Sequence, residues 1–377
     1  MRKFIGFTIA LLVAALLAGS SAAAQIPDRP ALPVGADPND WNAYFDRGVR
    51  LLGEDSRAAD EMFRWASRLD PSRAEPLYGR WVAFHMLDAR RFADYVNDDE
   101  RVRRDRGVLA ADSLYMAALV RNPFVHRGLA ALAYQQLPGE WAGDAFTQAF
   151  LEYARGNLDA AARRLAQVVQ RSPRNFRARY ALALSLVHLR RYDEARVELD
   201  SVLAVLRRRE ERNVVRVYES KEMLMYSLGL LHLVQNRHEQ AREAFAQAVL
   251  EDASQWYAHR GLALALAAGG RPDEALPEYR TAIELAGDDP VLLSEYGKAL
   301  AAAGQYAAAV EQLSRLVRIT PEWADAWLAL GNAEVRAGRN ADAVEAFTAY
   351  LARAPRSDAA GAERVRTLLG QLRAGTD

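Results

Sequence analysis

A fixed interval between small residues limits what this chain can fold into. Ala241, Ala275, Ala309 and Ala343 stand 34 residues apart, and Ala161 and Ala195 keep the same interval upstream. Four residues after each alanine comes a large side chain, in turn Leu165, Leu199, Phe245, Tyr279, Leu313 and Phe347. Five residues before it stands a turn former at Gly156, Asn236, Gly270, Gly304 and Gly338, with Arg190 as the exception. Such a period belongs to stacked supersecondary units, each burying its apolar face on the next. Helical periodicity runs from about residue 40 to about residue 373, and no segment alternates apolar and polar residues long enough for a strand.

The spacing explains itself physically. Two antiparallel helices approach closely only where one offers the other a small residue, which is the use of Gly229, Gly297 and Gly331 in the first helix and of the alanines in the second. The large residue one turn later fills the space toward the following unit. Pro173, Pro321 and Pro355 end the second helix.

Six units keep this register: 142–175, 176–209, 222–255, 256–289, 290–323 and 324–357. Their pattern resembles the tetratricopeptide repeat family, W-x2-L-G-x2-Y, then A-x3-F, then P. The last unit carries Trp327, Leu330, Gly331, Ala343, Phe347 and Pro355 at the matching offsets and departs with Glu334 where the family prefers tyrosine. The resemblance implies an all-α, right-handed superhelical solenoid of antiparallel helix pairs. Residues 358–377 form its C-terminal capping helix, with Leu368, Leu369 and Leu372 over the last unit.

The beat fails twice. Twelve extra, strongly charged residues, 210–221, separate two units without a helix breaker, so both flanking helices are expected to lengthen and project. Upstream, residues 40–141 read as degenerate helical repeats. Ala59, Phe63, Ala66 and Pro71 hold repeat offsets in 40–73, helices are expected near 77–87, 109–121 and 125–137, and a charged insertion falls over 92–107.

The start of the chain reads as an export signal over residues 1–24. Arg2 and Lys3 precede an uncharged stretch from Phe4 to Ala18, and Gly19 to Ala24 supplies small residues for cleavage before Gln25. Residues 25–39 carry Pro27, Pro30, Pro33 and Pro38 and are expected to be an extended linker. The chain has no cysteine, hence no lipid attachment after the signal and no disulfide framework. The expected location is the periplasm of a bacterium or the exterior, with no transmembrane span once the signal is removed.

Few functions fit the remaining residues. Lys+Arg and Asp+Glu number 49 each, which argues against a nucleic-acid binder, since that needs a basic face. The six histidines, His85, His126, His188, His232, His238 and His259, show no metal-ligand spacing. No phosphate-binding glycine loop and no nucleophile elbow occurs. No cofactor or metal is expected and no residue is assigned a catalytic role. An enzyme would need a site hidden in residues 74–141.

The resemblance places a concave groove along the first helices. Its expected lining runs Phe146, Phe150, Tyr153, Tyr180, Leu184, Val187 and His188, then Met223, Tyr226, Leu230, Leu233 and Val234, then Tyr257, Arg260 and Leu264. Beyond these it turns polar, with Ser294, Lys298, Asp325, Asn332, Val335 and Arg336. Tyr180, Tyr226 and Tyr257 are the leading expected contacts, because tyrosine offers wide contact at small entropic cost. A tight superhelix, the chain termini or the insertion would instead cover the same strip. The lysine and asparagine clamp of chaperone-tail receptors is not reproduced. The expected function is a non-enzymatic adaptor of the cell envelope that grips a protein or peptide segment, with self-association open. A periplasmic scaffold for polysaccharide export or outer-membrane assembly is the alternative.

Overall fold

A computed structural model describes residues 29–88, 100–103, 105–124, 145–208 and 220–374. The expected export signal over 1–24, the helix expected over 125–137, residues 92–99 and residues 210–219 lie outside these. Among the described residues every regular element is helical.

Near the start come α1 (Trp41–Leu51), α2 (Ser56–Leu69), α3 (Glu75–Met86), the short α4 (Glu100–Arg103) and α5 (Arg106–Arg121). The regular region holds α6 (Ala145–Arg155), α7 (Leu158–Arg171), α8 (Phe176–His188), α9 (Tyr192–Arg208), α10 (Lys221–Val234) and α11 (His238–Glu251). It continues with α12 (Trp256–Ala268), α13 (Pro272–Ala286), α14 (Pro290–Ala302), α15 (Tyr306–Ile319), α16 (Ala324–Arg336), α17 (Asn340–Arg353) and α18 (Ala359–Ala374). Neighbours in sequence pack as antiparallel pairs, and each pair stacks on the next. The chain is an all-α solenoid.

The alanine interval is the packing period. Ala161, Ala195, Ala241, Ala275, Ala309 and Ala343 all have no exposed surface. The large residue after each is also buried, and Phe245, Leu313 and Phe347 lie against glycines of the first helices. A Cβ added to Gly229 would stand 2.5 Å from the Phe245 ring, and one added to Gly261 2.3 Å from it, so the ring is held between two helices that only glycine lets this close. Phe63 occupies the same position between Gly48 and Gly79, which extends the device to α1–α3.

The turn inside each unit requires a left-handed residue. Gly156, Gly270, Gly304 and Gly338 have φ between 75° and 91°, and the two non-glycine members of the series, Arg190 and Asn236, follow them at 59° and 55°. Helix starts are marked by side-chain caps: Asp55 accepts from the amides of Arg57 and Ala58, Asn175 from Ala178, and Asp289 from Val291 and Leu292.

Two sequence expectations change. Of the helices flanking the insertion, α9 has 17 residues against 14 in α7 and α11, but α10 does not run back into it. Ser220 caps α10 on the Met223 amide and fixes its start at Lys221. Residues 33–39, within the linker expected to be extended, form turns, with the Ala36 amide on Pro33 O at 3.1 Å and the Asp40 amide on Asp37 O at 3.2 Å. Proline and asparagine supply turn geometry here as readily as an extended chain. The C-terminal α18 lays Val365 and Leu369 on Phe347 and Tyr350, flanked by Leu368 and Leu372.

Candidate binding groove

Consecutive first helices α6, α8, α10, α12, α14 and α16 carry the expected lining, and burial divides it in two. Phe146 and Phe150 are half-buried and stacked with centroids 6.0 Å apart, and Tyr153 is buried beside His188. Tyr180 and Leu230 are half-buried, while Leu184 and Met223 are buried. Tyr226 has no exposed surface and Tyr257 only 2%. Arg260 is buried as well. Lys298, Asn332 and Arg336, in contrast, are exposed.

The reason for this division is a short piece of the same chain. Helix α5 ends at Arg121, where Asn122 takes an extended conformation and Pro123 bars a further helical turn. Residues 120–124 then lie against α8, α10 and α12, and Val120 and Phe124 join the core those helices form. Side chains of the groove bind the main chain of this segment. The Tyr226 hydroxyl donates to the Val120 carbonyl at 2.6 Å, and Arg260 Nη1 donates to the same oxygen at 3.0 Å. The Tyr180 hydroxyl reaches the Pro123 carbonyl at 3.3 Å, and His188 Nε2 is 2.7 Å from that of Phe124. The tyrosines expected to meet a partner therefore meet the chain's own backbone. Leucines and valines alone would leave these carbonyls unsatisfied in a dry site, at a cost of roughly 1–3 kcal/mol each.

Charge in the site is paired. Arg260 holds Glu295 through two bonds, Nε to Oε2 at 2.8 Å and Nη2 to Oε1 at 2.7 Å, and its Nη1 also meets the Tyr226 hydroxyl at 2.7 Å. Burial works to lower the Arg260 pKa, but the Glu295 carboxylate outweighs it and the net shift is upward, so the guanidinium stays a cation. Burial pushes the Tyr226 and Tyr180 phenols up, which keeps both as neutral donors. Arg121 extends the network. It binds Asp289 at 3.1 Å, the Pro71 carbonyl at 2.7 Å and the Ala117 carbonyl at 3.0 Å. Asp289 thus serves α14 as N-cap with one oxygen and Arg121 with the other.

Glu295, Asp289 and the 120–124 segment were not legible as parts of the site. Glu295 sits one position beyond a lining residue, and its role depends on Arg260 of the preceding unit, 35 residues away. Asn122-Pro123 marks the end of a helix in the sequence, but nothing in the pair says where the next residues go. The arrangement holds main-chain carbonyls by hydrogen bonds and pairs its charges. Among the described residues no three His, Asp or Glu converge as metal ligands. No helix among them is long and apolar enough to cross a membrane.

Fold and groove together define a helical-hairpin solenoid whose first helices hold a helix end and the turn after it. Tetratricopeptide-repeat models match residues 152–212, 226–290, 265–333 and 325–357, and the chain belongs to the tetratricopeptide repeat family. Several solved structures are similar to this chain at low identity and low TM-score. YrrB, described as a tetratricopeptide protein with an unusual peptide-binding site, is 18% identical over 54% of this chain and 97% of its own, with a TM-score of 0.42. The Cut9–Hcn1 hetero-tetramer of the anaphase-promoting complex matches at 12% over 88% and 76%, with a TM-score of 0.45. A tetratricopeptide repeat protein from Parabacteroides merdae matches at 14% over 75% and 99%, with a TM-score of 0.40. Among curated proteins none matches the sequence significantly.

Proposed function

We propose that this protein is a non-enzymatic adaptor of the bacterial cell envelope that holds a segment of another protein in its concave groove. One observation carries the reading: three consecutive first helices aim hydroxyl, imidazole and guanidinium groups at the main-chain carbonyls of one short stretch of chain. A surface that satisfies carbonyls through side chains, between apolar contacts, suits extended polypeptide of varied sequence. The exposed Lys298, Asn332 and Arg336 continue the groove and favour an acidic or C-terminal carboxylate group on the partner. Export rests on the positive start, the uncharged stretch and the small residues of 1–24.

The test is photocrosslinking in cells from Lys298 and, separately, from Asn332, both exposed. A discrete adduct in the periplasmic fraction, abolished by Arg336→Glu, is expected. No adduct from either position, with helical content intact, overturns the groove reading, and recovery of the protein in the cytoplasmic fraction overturns the location.

A further inference from the structure

The segment 120–124 has the properties of a bound ligand. It begins in the last turn of α5 and runs past its end, and α5 packs on α3 in the N-terminal core through Val108, Ala111 and Ala118. Yet Val120 and Phe124 leave that core and are 2% and 7% exposed within the core of α6–α12. The groove's bonds to it run from side chains to carbonyls at residues 120, 123 and 124. The segment keeps its own shape: the Asn122 side chain accepts the Phe124 amide at 2.9 Å, and the Asn122 amide stays on Ala118 O. It offers the groove an aliphatic anchor at Val120, a cation at Arg121 that Asp289 receives, a proline turn, and an aromatic anchor at Phe124.

We propose that Val120–Phe124 is an internal ligand of the groove. The external partner it stands in for is a protein segment of the same chemistry: an aliphatic residue, then Arg or Lys, then within two residues a proline followed by an aromatic. The proposal rests on the groove reading above and adds the partner's chemistry and its regulation. Carbonyls are common to every polypeptide, so they give affinity without choice. Choice comes from the Val120 and Phe124 pockets and from the carboxylate of Asp289, which has an arginine to receive in the internal case and needs a cation in the external one. A tethered segment competes at high effective concentration, so the groove's apparent affinity for an outside segment falls in proportion to the fraction of molecules in which 120–124 is released.

The probe is a fluorescein-labelled, C-terminally amidated peptide of residues 118–124, titrated into the full chain. Phe124→Ala in the protein weakens the internal ligand and is expected to raise peptide affinity by about tenfold or more. Adding Asp289→Asn, which retains the helix cap, is expected to remove most of that gain by withdrawing the charge that receives arginine. Equal affinities for the wild type and Phe124→Ala, or no binding by either, overturn the proposal. Should Phe124→Ala fail to fold, hydrogen exchange on the wild type decides. Saturating peptide must speed exchange of the Asn122 and Phe124 amides, and unchanged rates overturn the proposal. The two readings separate cleanly. Crosslinks from Lys298 with no peptide competition leave the groove standing and remove the internal ligand, whereas peptide competition with no adduct in cells does the reverse.

Discussion

Arg190 shows how a repeat tolerates a residue that its own geometry disfavours. At φ 59° it fills the left-handed place that glycine holds in four other units, and a side chain there costs about 1–2 kcal/mol. Its neighbours Arg191 and Glu194 pair at 2.6 Å on the surface, too exposed a contact to repay that cost. Arg190→Gly is therefore expected to stabilise the protein by about 0.5–1 kcal/mol after the greater flexibility of the unfolded glycine is counted, read as a raised denaturant midpoint. Glu334 is the opposite case. The equivalent residues of three other units, Leu186, Leu266 and Leu300, are buried leucines, and Glu334 is buried too, with Oε2 lacking a hydrogen-bond partner. Burial first, and then the Asp342 carboxylate, push its carboxyl from the ordinary value of 4.5 up to about 7. The folded state thus holds a proton that the unfolded state releases, so the Glu334 contribution is fully present below pH 4.5 and is lost as pH rises to about 7. Glu334→Leu is expected to remove that slope and to stabilise the protein by roughly 1–3 kcal/mol at pH 8, with little change at pH 4. Thermal melts at both pH values check it, and an equal gain at both would contradict the assigned cause.

Between elements, the Arg260–Glu295 pair links α12 to α14 and fastens both to the end of α5. Truncating one member strands a charge that has lost its partner. Arg260→Met is expected to cost about 3–5 kcal/mol, and the double variant with Glu295→Gln less than the sum of the two single changes. Urea melts of the four proteins in the cycle measure the coupling, and additive losses would show that the pair does not act as a unit. The helices themselves were largely readable. Alanine, glycine and the large residue at fixed offsets dictate where helices pair, because steric fit between neighbours is a local property. Helix α10 was misjudged for an equally local reason. A charged stretch with no breaker reads as continuous helix, yet one serine hydroxyl on the Met223 amide suffices to set a start. The site was less readable. Tyr226 and Arg260 were expected to meet a partner, but the groups they bind lie 106 and 140 residues away at Val120.

Over the whole solenoid, the N-terminal segment returns to the C-terminal units. The Asp37 carboxylate accepts the Arg356 amide at 2.6 Å, Asn39 donates to the Ala352 carbonyl at 3.3 Å, and Arg68 stands 3.9 Å from Glu322. The Asp37 and Asn39 contacts are open to water, so each contributes little to global stability. Asp37→Ala is expected to lower it by no more than about 1 kcal/mol while speeding exchange of the Ala36 and Asp40 amides well beyond that of the core. Unchanged exchange at those amides would show that the turns of 33–40 hold without the C-terminal contact.

The sequence alone determined the helix pairs, their period and the turn residues, because each follows from side chains a few positions apart or one unit apart. Tertiary structure alone decided what meets the expected groove lining. Whether a lining tyrosine meets solvent, a partner or the chain's own backbone depends on how far the stack curves and where a distant helix end arrives, and no short-range pattern encodes either. Residues 120–124 accordingly meet the middle of the expected lining, while Lys298, Asn332 and Arg336 stay exposed.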